Sequence, residues 1–377
     1  MMKSSTYTIQ FRMTKKCNAQ CSYCIAPHSS NSRMNEDDFK CSIDYLVNTY
    51  LPSIGSKSGD YVDLEYVGGE ISLLPSQMFI SCIDYARAVF ERSGYNFKDG
   101  AQSNFVGNTE KLKELWDKFE GRVTTSVDHF TDQRRFKGTS ENYRKRFEVN
   151  VVDVCKSIPT GSVYVLDFNG LQNAVKEAKK ALSEGYAIGL YPAYEANNPV
   201  DIAPLDKMAK ALIEIMDEWV LNYDTPIEPL GHILRMVLDE DTKLCGTGDS
   251  CPFAYGCSSK SICVEPNGDL YVCMDMAETK RHKLGNAVEG VADFKLVRKL
   301  SKRGIKSNSK CIDCKYRNYC KGGCMNHAMI NGDEYSESYF CEVWFALFEH
   351  CEKLIIAHGK DRLKKWFMSQ DKAKFYC

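Results

Sequence analysis

Lys16-Cys17-Asn18-Ala19-Gln20-Cys21-Ser22-Tyr23-Cys24 follows directly on a strand-like run, Tyr7–Arg12, and precedes a helical pattern, Glu36–Tyr50. The spacing is C-x3-C-x2-C, with an aromatic residue before the last cysteine. Three thiolates on one short loop can ligate three irons of a single cubane. A 4Fe–4S cube normally takes four protein ligands, so one iron would stay open to a small molecule. Two other readings are open on these residues alone. Zinc would want pairs of cysteines and a fourth ligand, for which His28 is the near candidate. Alternatively, the thiols are simply buried.

Working outward, the chain holds 18 cysteines in 377 residues. The polar N-terminus, Met1 to Thr14, lacks a signal-like apolar segment, and no apolar run approaches the length of a bilayer span. A long chain without a secretory signal is expected in the reducing cytoplasm, where thiols stay free and cysteine clusters read as metal ligands. Composition is otherwise ordinary, with 44% hydrophobic residues, 26% charged residues and a formal net charge of −1. With Lys and Arg spread along the chain, that balance argues against a nucleic-acid or membrane-surface partner.

Beyond the triad, strand-like and helix-like segments alternate. The strands are expected at Tyr7–Arg12, Val62–Val67, Gly100–Phe105, Arg122–Val127, Ser162–Leu166 and Ala187–Tyr191. Helices are expected at Glu36–Tyr50, Ser76–Glu91, Thr109–Phe119, Glu141–Lys156 and Leu171–Ser183. Six βα units give an α/β fold with a parallel sheet, too few for an eight-fold barrel, so a partial (β/α)6 TIM-like barrel is predicted. Such folds place their sites at the C-terminal ends of strands. Cys17–Cys24 follows the first strand there, and Gly68-Gly69-Glu70 the second. Leu205–Leu238 reads as mostly helical. Gly246–Asn331 is rich in Gly, Ser, Asn and Asp and needs a staple to stay ordered. The expected organisation is a barrel over 1–204, a helical bridge over 205–244, a cysteine-rich domain over 245–345 and a helical segment over 346–377.

The triad, with its C-x3-C-x-aromatic-C pattern spelled Cys17, Cys21, Tyr23, Cys24, resembles the radical S-adenosylmethionine superfamily. The resemblance implies that the open iron chelates S-adenosylmethionine (AdoMet). An electron from the cluster then cleaves the C5′–S bond, giving methionine and a 5′-deoxyadenosyl radical. It further implies that Tyr23 and Gly68-Gly69-Glu70 contact the cofactor, the glycine motif at the methionine amino group. Ser126 and Asp128 match a Ser-x-Asp near the ribose and carboxylate. Gln102 and Asn104 would face the cofactor from the third strand, and Arg135 is a candidate carboxylate partner. Ile71 departs from the family, which often has proline there.

The C-terminal cysteines, Cys311-x2-Cys314-x5-Cys320-x3-Cys324 with Cys341 beyond and Cys251, Cys257 and Cys273 upstream, resemble the SPASM extension of that superfamily. Gly268 stands five residues before Cys273, as the extension requires. The resemblance implies a loop-rich iron–sulfur domain with two auxiliary 4Fe–4S clusters, hence three in all. Cys251, Cys257, Cys273 and Cys324 would hold one, and Cys311, Cys314, Cys320 and Cys341 the other. Cys245 or Cys263 could replace Cys251. Structural zinc is the alternative for these cysteines. Cys41, Cys82, Cys155, Cys351 and Cys377 read as small buried hydrophobes or surface thiols.

SPASM members act mostly on ribosomally made peptides or proteins. The expected function is therefore a peptide maturase that abstracts hydrogen from a residue of a ribosomal precursor and forms a crosslink, cyclophane C–C or thioether. A protein-modifying oxidase or a peptide epimerase of the same superfamily is the second reading, and a non-catalytic metal scaffold the third. Met274-Asp275 follows Cys273 where the sulfatase-maturating branch places Asp directly after the cysteine. Asp275 is the candidate proton acceptor, with His327 and Tyr335 behind it. Flavodoxin or ferredoxin would supply electrons. Only 16 residues precede Cys17, so a leader peptide is expected to add to an edge strand instead of binding a preceding domain.

Overall fold

The computed structural model describes residues 4–26, 30–159, 161–193, 201–238, 253, 256–303 and 309–370. Strands β1 (Thr6–Thr14), β2 (Tyr61–Gly68), β3 (Asn96–Gln102) and β4 (Val123–Thr124) pair in parallel and in chain order. A parallel bridge from Ser126 to Val163 passes the array on to β5 (Ser162–Leu166), β6 (Ile188–Pro192) and β7 (Ile227–Glu228). This is the predicted partial barrel, with one more strand than expected. β7 comes from within the stretch read as helical, because Pro226 and Pro229 break that stretch between helices Leu205–Trp219 and Leu230–Leu238.

Helices α1 (Glu36–Tyr45), α2 (Ser76–Arg92), α3 (Thr109–Lys118), α4 (Ser140–Val154) and α5 (Ala174–Glu184) occupy the crossovers. Their starts are set by side-chain caps where the sequence offers one. Asn35 accepts from Asp38 N at 2.8 Å, Asn108 from Lys111 N and Thr139 from Asn142 N at 3.1 Å each. Each such cap contributes about 1 kcal/mol. Period-two alternation sends Ile9, Phe11 and Met13 of β1 toward the helices and Thr8, Gln10 and Arg12 to the opposite face, the lumen. On the helix side Phe11, Phe39, Tyr66 and Phe79 stack in sequence, with ring centroids 4.7, 6.3 and 5.3 Å apart. The core therefore lies between sheet and helices and leaves the lumen to polar residues.

The third strand ends at Gln102, whereas Gly100–Phe105 was expected. Its sequence, NFKDGAQ, lacks the branched residues that mark strands, and its buried Asp99 conceals it further. That carboxylate faces outward and takes two hydrogen bonds from Arg87 of α2, at 2.8 and 2.9 Å. The chain then turns at Phe105, whose φ is +55°.

The cysteine-rich region has short elements, as expected, but it is joined to the barrel sheet. β8 (Ser261–Val264) pairs in parallel with β1, and β9 (Asp269–Tyr271), β10 (Gly285–Asn286) and β11 (Val291–Ala292) extend the sheet in antiparallel fashion. A buried ion network reinforces the join. Arg12, 1% exposed, pairs with Glu265 at 2.9 Å and with Glu278, and Lys15 pairs with both carboxylates. Among the described residues no helix is long and apolar enough to cross a membrane.

Candidate functional site

The first site begins with the way β2 receives the loop that leaves β1. Gly69 N donates to Thr14 O and Glu70 N to Lys16 O, both at 2.8 Å. Cβ atoms built at Gly68 and Gly69 would sit 2.4 Å from Thr14 O and 2.2 Å from Lys16 O. Two residues without side chains are therefore required where the cysteine loop lies on the end of β2. Glu70, 1% exposed, is the linchpin of the same junction. Its carboxylate accepts from Ser72 N at 3.0 Å, Ser103 Oγ at 2.9 Å and Asn104 N at 2.7 Å, joining the ends of β2 and β3.

The loop's other flank is zipped to the segment after β4. Gln20 N donates to Arg135 O at 2.8 Å and Ser22 N to Gln133 O at 2.9 Å. The structure thus brings Cys17, Cys21 and Cys24 together at the C-terminal mouth of the barrel. Burial pushes all three thiols up, Cys17 to about 11, and each sulfur raises a neighbour further by repulsion. Bare thiolates are costly here, so the thiolate form would need a bound cation to offset its charge. The sulfur of Cys17 accepts from Ala19 N at 3.4 Å and Asn104 Nδ2 at 3.6 Å. Donors aimed at a sulfur suit a metal-bound thiolate.

Sequence reasoning placed the loop arginine at Arg135. The structure instead exposes Arg135, which bonds Asp132 O of its own turn at 3.2 Å, and buries its neighbour. Arg134, 5% exposed, donates to the Tyr23 hydroxyl at 3.0 Å and lies 4.7 Å from the centroid of the Tyr143 ring. Its charge lowers the cost of a thiolate at Cys21, and its Nε is buried without a hydrogen-bond partner. A buried, incompletely satisfied cation beside three thiols is a cradle for an anionic group. Two adjacent arginines cannot be told apart by spacing, and burial against Tyr23 and Tyr143 selects between them.

Ser126 reaches the lumen end of the barrel through its bridge to Val163. Asp128 is buried, and its carboxylate accepts from Thr131 N at 3.0 Å, so it also closes the 128–131 turn. Gln102 ends β3 opposite Thr124. The lumen below holds a residue the sequence did not single out. Glu65, paired in register with Gln10 and Gly100, has its carboxyl pushed up to about 7 by burial and then by Asp63.

The C-terminal thiols fall into two neighbourhoods. Burial and then the neighbouring sulfur of Cys324 push Cys257 up to about 12, and burial, Asp275 and the sulfurs of Cys324 and Cys257 push Cys273 up as well. Burial, and then the sulfurs of Cys311 and Cys314 nearby, push Cys320 up to about 12 and Cys341 up to about 11. Among the described residues no three such side chains converge closely enough to share one ion. Cys263 lies fully buried within β8, in register with Gln10. His28, Cys245, Cys251 and Cys377 lie outside the described residues. Cys82 and Cys351 are buried, and Cys41 is exposed.

Cys273 precedes a short helix, Met274–Glu278, that is tied to the barrel because Met274 N donates to Gln10 Oε1 at 2.8 Å. Asp275 sits on its first turn, close enough to Cys273 to raise its thiol. His327 is buried edge-on to Phe340, and Tyr335 donates to Lys299 O at 3.0 Å near the surface.

Fold and site together define a partial parallel barrel whose mouth carries three cysteines, with a cysteine-rich extension, and solved structures share that fold. anSMEcpe with bound AdoMet aligns at a TM-score of 0.71 and 16% identity, covering 97% of this chain and 98% of its own. Native anSMEcpe with AdoMet and a Cp18Cys peptide gives 0.70 and 18%, over 94% and 99%. Streptococcus suis SuiB bound to its precursor peptide SuiA gives 0.57 and 14%, over 90% and 76%. An uncharacterized protein of Methanocaldococcus jannaschii is 27% identical over 117 residues, 31% of this chain, and the match spans 37% of that relative. No protein-family model matches the chain.

Proposed function

We propose that this protein is a radical S-adenosylmethionine enzyme that oxidatively modifies a peptide or protein chain, with crosslink formation at an unactivated C–H as its reaction. The observation that carries this reading is the grouping of ten described cysteines into three neighbourhoods, of which only the first lies on the loop at the barrel mouth. Cys17, Cys21 and Cys24 would hold the cluster that binds AdoMet. Cys257, Cys273 and Cys324, with Cys251, would hold one auxiliary cluster, and Cys311, Cys314, Cys320 and Cys341 the other. Spread thiols, each able to meet a separate iron, support cubanes over a single zinc ion. Bound there, these groups would supply a carbon radical at the first site and an electron sink at the others.

The chain's own residues account for the rest. Arg134 and Asn104 orient charge at the first site, and the lumen shields the reaction from water. Loss of two hydrogens from a substrate needs a hydrogen atom removed, an electron taken up and a proton accepted. Asp275 is the proton acceptor in this reading, since its helix is anchored beside the lumen by Gln10. Reductant would come from a low-potential donor such as flavodoxin or ferredoxin in the cytoplasm.

A second reading is supported by the nearer structural likeness to anSMEcpe than to SuiB, 0.71 against 0.57. It is oxidation of a single residue without a crosslink. Co-incubation with a peptide encoded beside the gene, followed by mass spectrometry, separates the readings. Loss of two hydrogens with a restricted fragment pattern means a crosslink, and the same loss with full fragmentation means oxidation. An unchanged mass with deuterium uptake means epimerisation and contradicts both.

A further inference from the structure

Arg303 lies 6% exposed at the centre of the cysteine-rich region. Its guanidinium donates to four backbone carbonyls. Nη2 bonds Gly322 O at 2.5 Å, Nε bonds Gly323 O at 3.3 Å, and Nη1 bonds Ser336 O at 3.0 Å and Glu334 O. The first two carbonyls belong to the turn between Cys320 and Cys324. In that turn Lys321, Gly322 and Gly323 all take positive φ, +55°, +87° and +69°. The two glycines take this conformation readily, but a left-handed Lys321 persists only where the surroundings over-determine it, and the planar fork of an arginine on the two following carbonyls supplies that determination.

The turn matters because its two ends belong to different sets. Cys320 neighbours Cys311, Cys314 and Cys341, whereas Cys324 neighbours Cys257 and Cys273. From the other side, the segment leading to Arg303 lies against the Cys257 turn. Ser258 Oγ donates to Val297 O at 3.0 Å, and a Cβ at Gly256 would approach Ser301 O to 3.2 Å. One buried cation thus touches the connection between the two cysteine sets and flanks both.

We propose that Arg303 is the shared positioning residue of the two auxiliary sites, fixing the Lys321–Gly323 turn and raising the reduction potential of both centres through its charge. This rests on the reading that the two cysteine sets hold clusters. An arginine stays charged at any working pH. A fixed cation in a low-dielectric interior stabilises the additional negative charge that a centre acquires on reduction. Arg303 is therefore a device that makes both auxiliary sites better electron acceptors together.

The test uses the full chain carrying Cys17, Cys21 and Cys24→Ala, reconstituted anaerobically with iron and sulfide, so that only auxiliary signals are read. Potentiometric EPR is recorded with Arg303 intact, Arg303→Gln, Arg303→Lys and the exposed neighbour Lys302→Gln. Arg303→Gln is expected to shift both midpoints to more negative potential, while Lys302→Gln leaves them in place. Arg303→Lys keeps the charge but not the fork, so its midpoints stay and its iron content falls. Midpoints unmoved in Arg303→Gln, or only one moved, overturn the proposal. If Arg303→Gln binds no iron, the lysine variant decides, and lowered midpoints there overturn it. If no auxiliary iron binds with Arg303 intact, the cluster reading itself fails, and this proposal with it.

Discussion

The two cysteine regions are held by opposite means. The first three thiols ride on a loop fastened by regular structure. β1 leads into it, Gly68 and Gly69 lie beneath it, and the 133–136 segment runs along its flank. Apart from Cys341, which opens the helix Cys341–His358, the later thiols sit on turns and elements of a few residues, held by side chains such as Arg303 and by the Arg12 network. The lesson is that backbone geometry defines the cysteine loop at the barrel mouth, whereas the later cysteine sets depend on a few buried cations. Perturbations should separate accordingly.

The largest separation is expected from Cys17, Cys21 and Cys24→Ala together. If the chain holds the three proposed cubanes, this variant should lose 5′-deoxyadenosine formation entirely yet keep about two-thirds of its iron. Nucleoside assay and iron analysis on one sample check both halves. Next comes Gly69→Ala, whose Cβ would collide with Lys16 O. Overpacking at such a contact costs about 1–3 kcal/mol. It should displace the cysteine loop and weaken AdoMet binding, leaving auxiliary EPR signals intact.

A finer contrast lies within the barrel mouth. Arg134→Ala should destabilise the protein by about 2–3 kcal/mol, through the lost Tyr23 bond and Tyr143 stacking, and impair AdoMet binding. Arg135→Ala should stay within about 0.5 kcal/mol, as exposed substitutions do. Denaturant unfolding and AdoMet titration compare the pair.

The smallest effect concerns the lumen. Glu65 is pushed up to about 7 in the fold by burial, above its ordinary value, so the folded state favours the protonated form. Its contribution to stability is complete at low pH and is lost as pH rises through about 7. Glu65→Gln should therefore be more stable than the unaltered protein at pH about 8, by about 1–2 kcal/mol after allowing for solvent access. At pH about 5 the difference should vanish. Thermal melts at the two pH values suffice.

Much of this architecture is legible in the sequence, for reasons that differ by element. Tyr7–Arg12 and Val62–Val67 carry the alternation and branching of strands, and the Asn35, Asn108 and Thr139 caps mark helix starts. β3 is hard to place from sequence because Asp99 hides a strand behind a charge that Arg87 and Arg122 pair with in the fold. β7 was invisible because two residues between prolines carry no period. The cysteine spacings locate the candidate ligands, but pairing of β8 with β1 joins residues more than 240 apart in sequence, beyond any local pattern. Arg134 and Arg303 escaped notice because burial, not spacing, distinguishes them from other arginines.

The most direct measurement is the EPR spectrum of the anaerobically reconstituted, reduced protein, recorded with and without AdoMet. The account predicts that AdoMet alters one signal, and that this response disappears when Cys17, Cys21 and Cys24 are alanine. A spectrum indifferent to AdoMet, or protein that takes up zinc in place of iron, would contradict it.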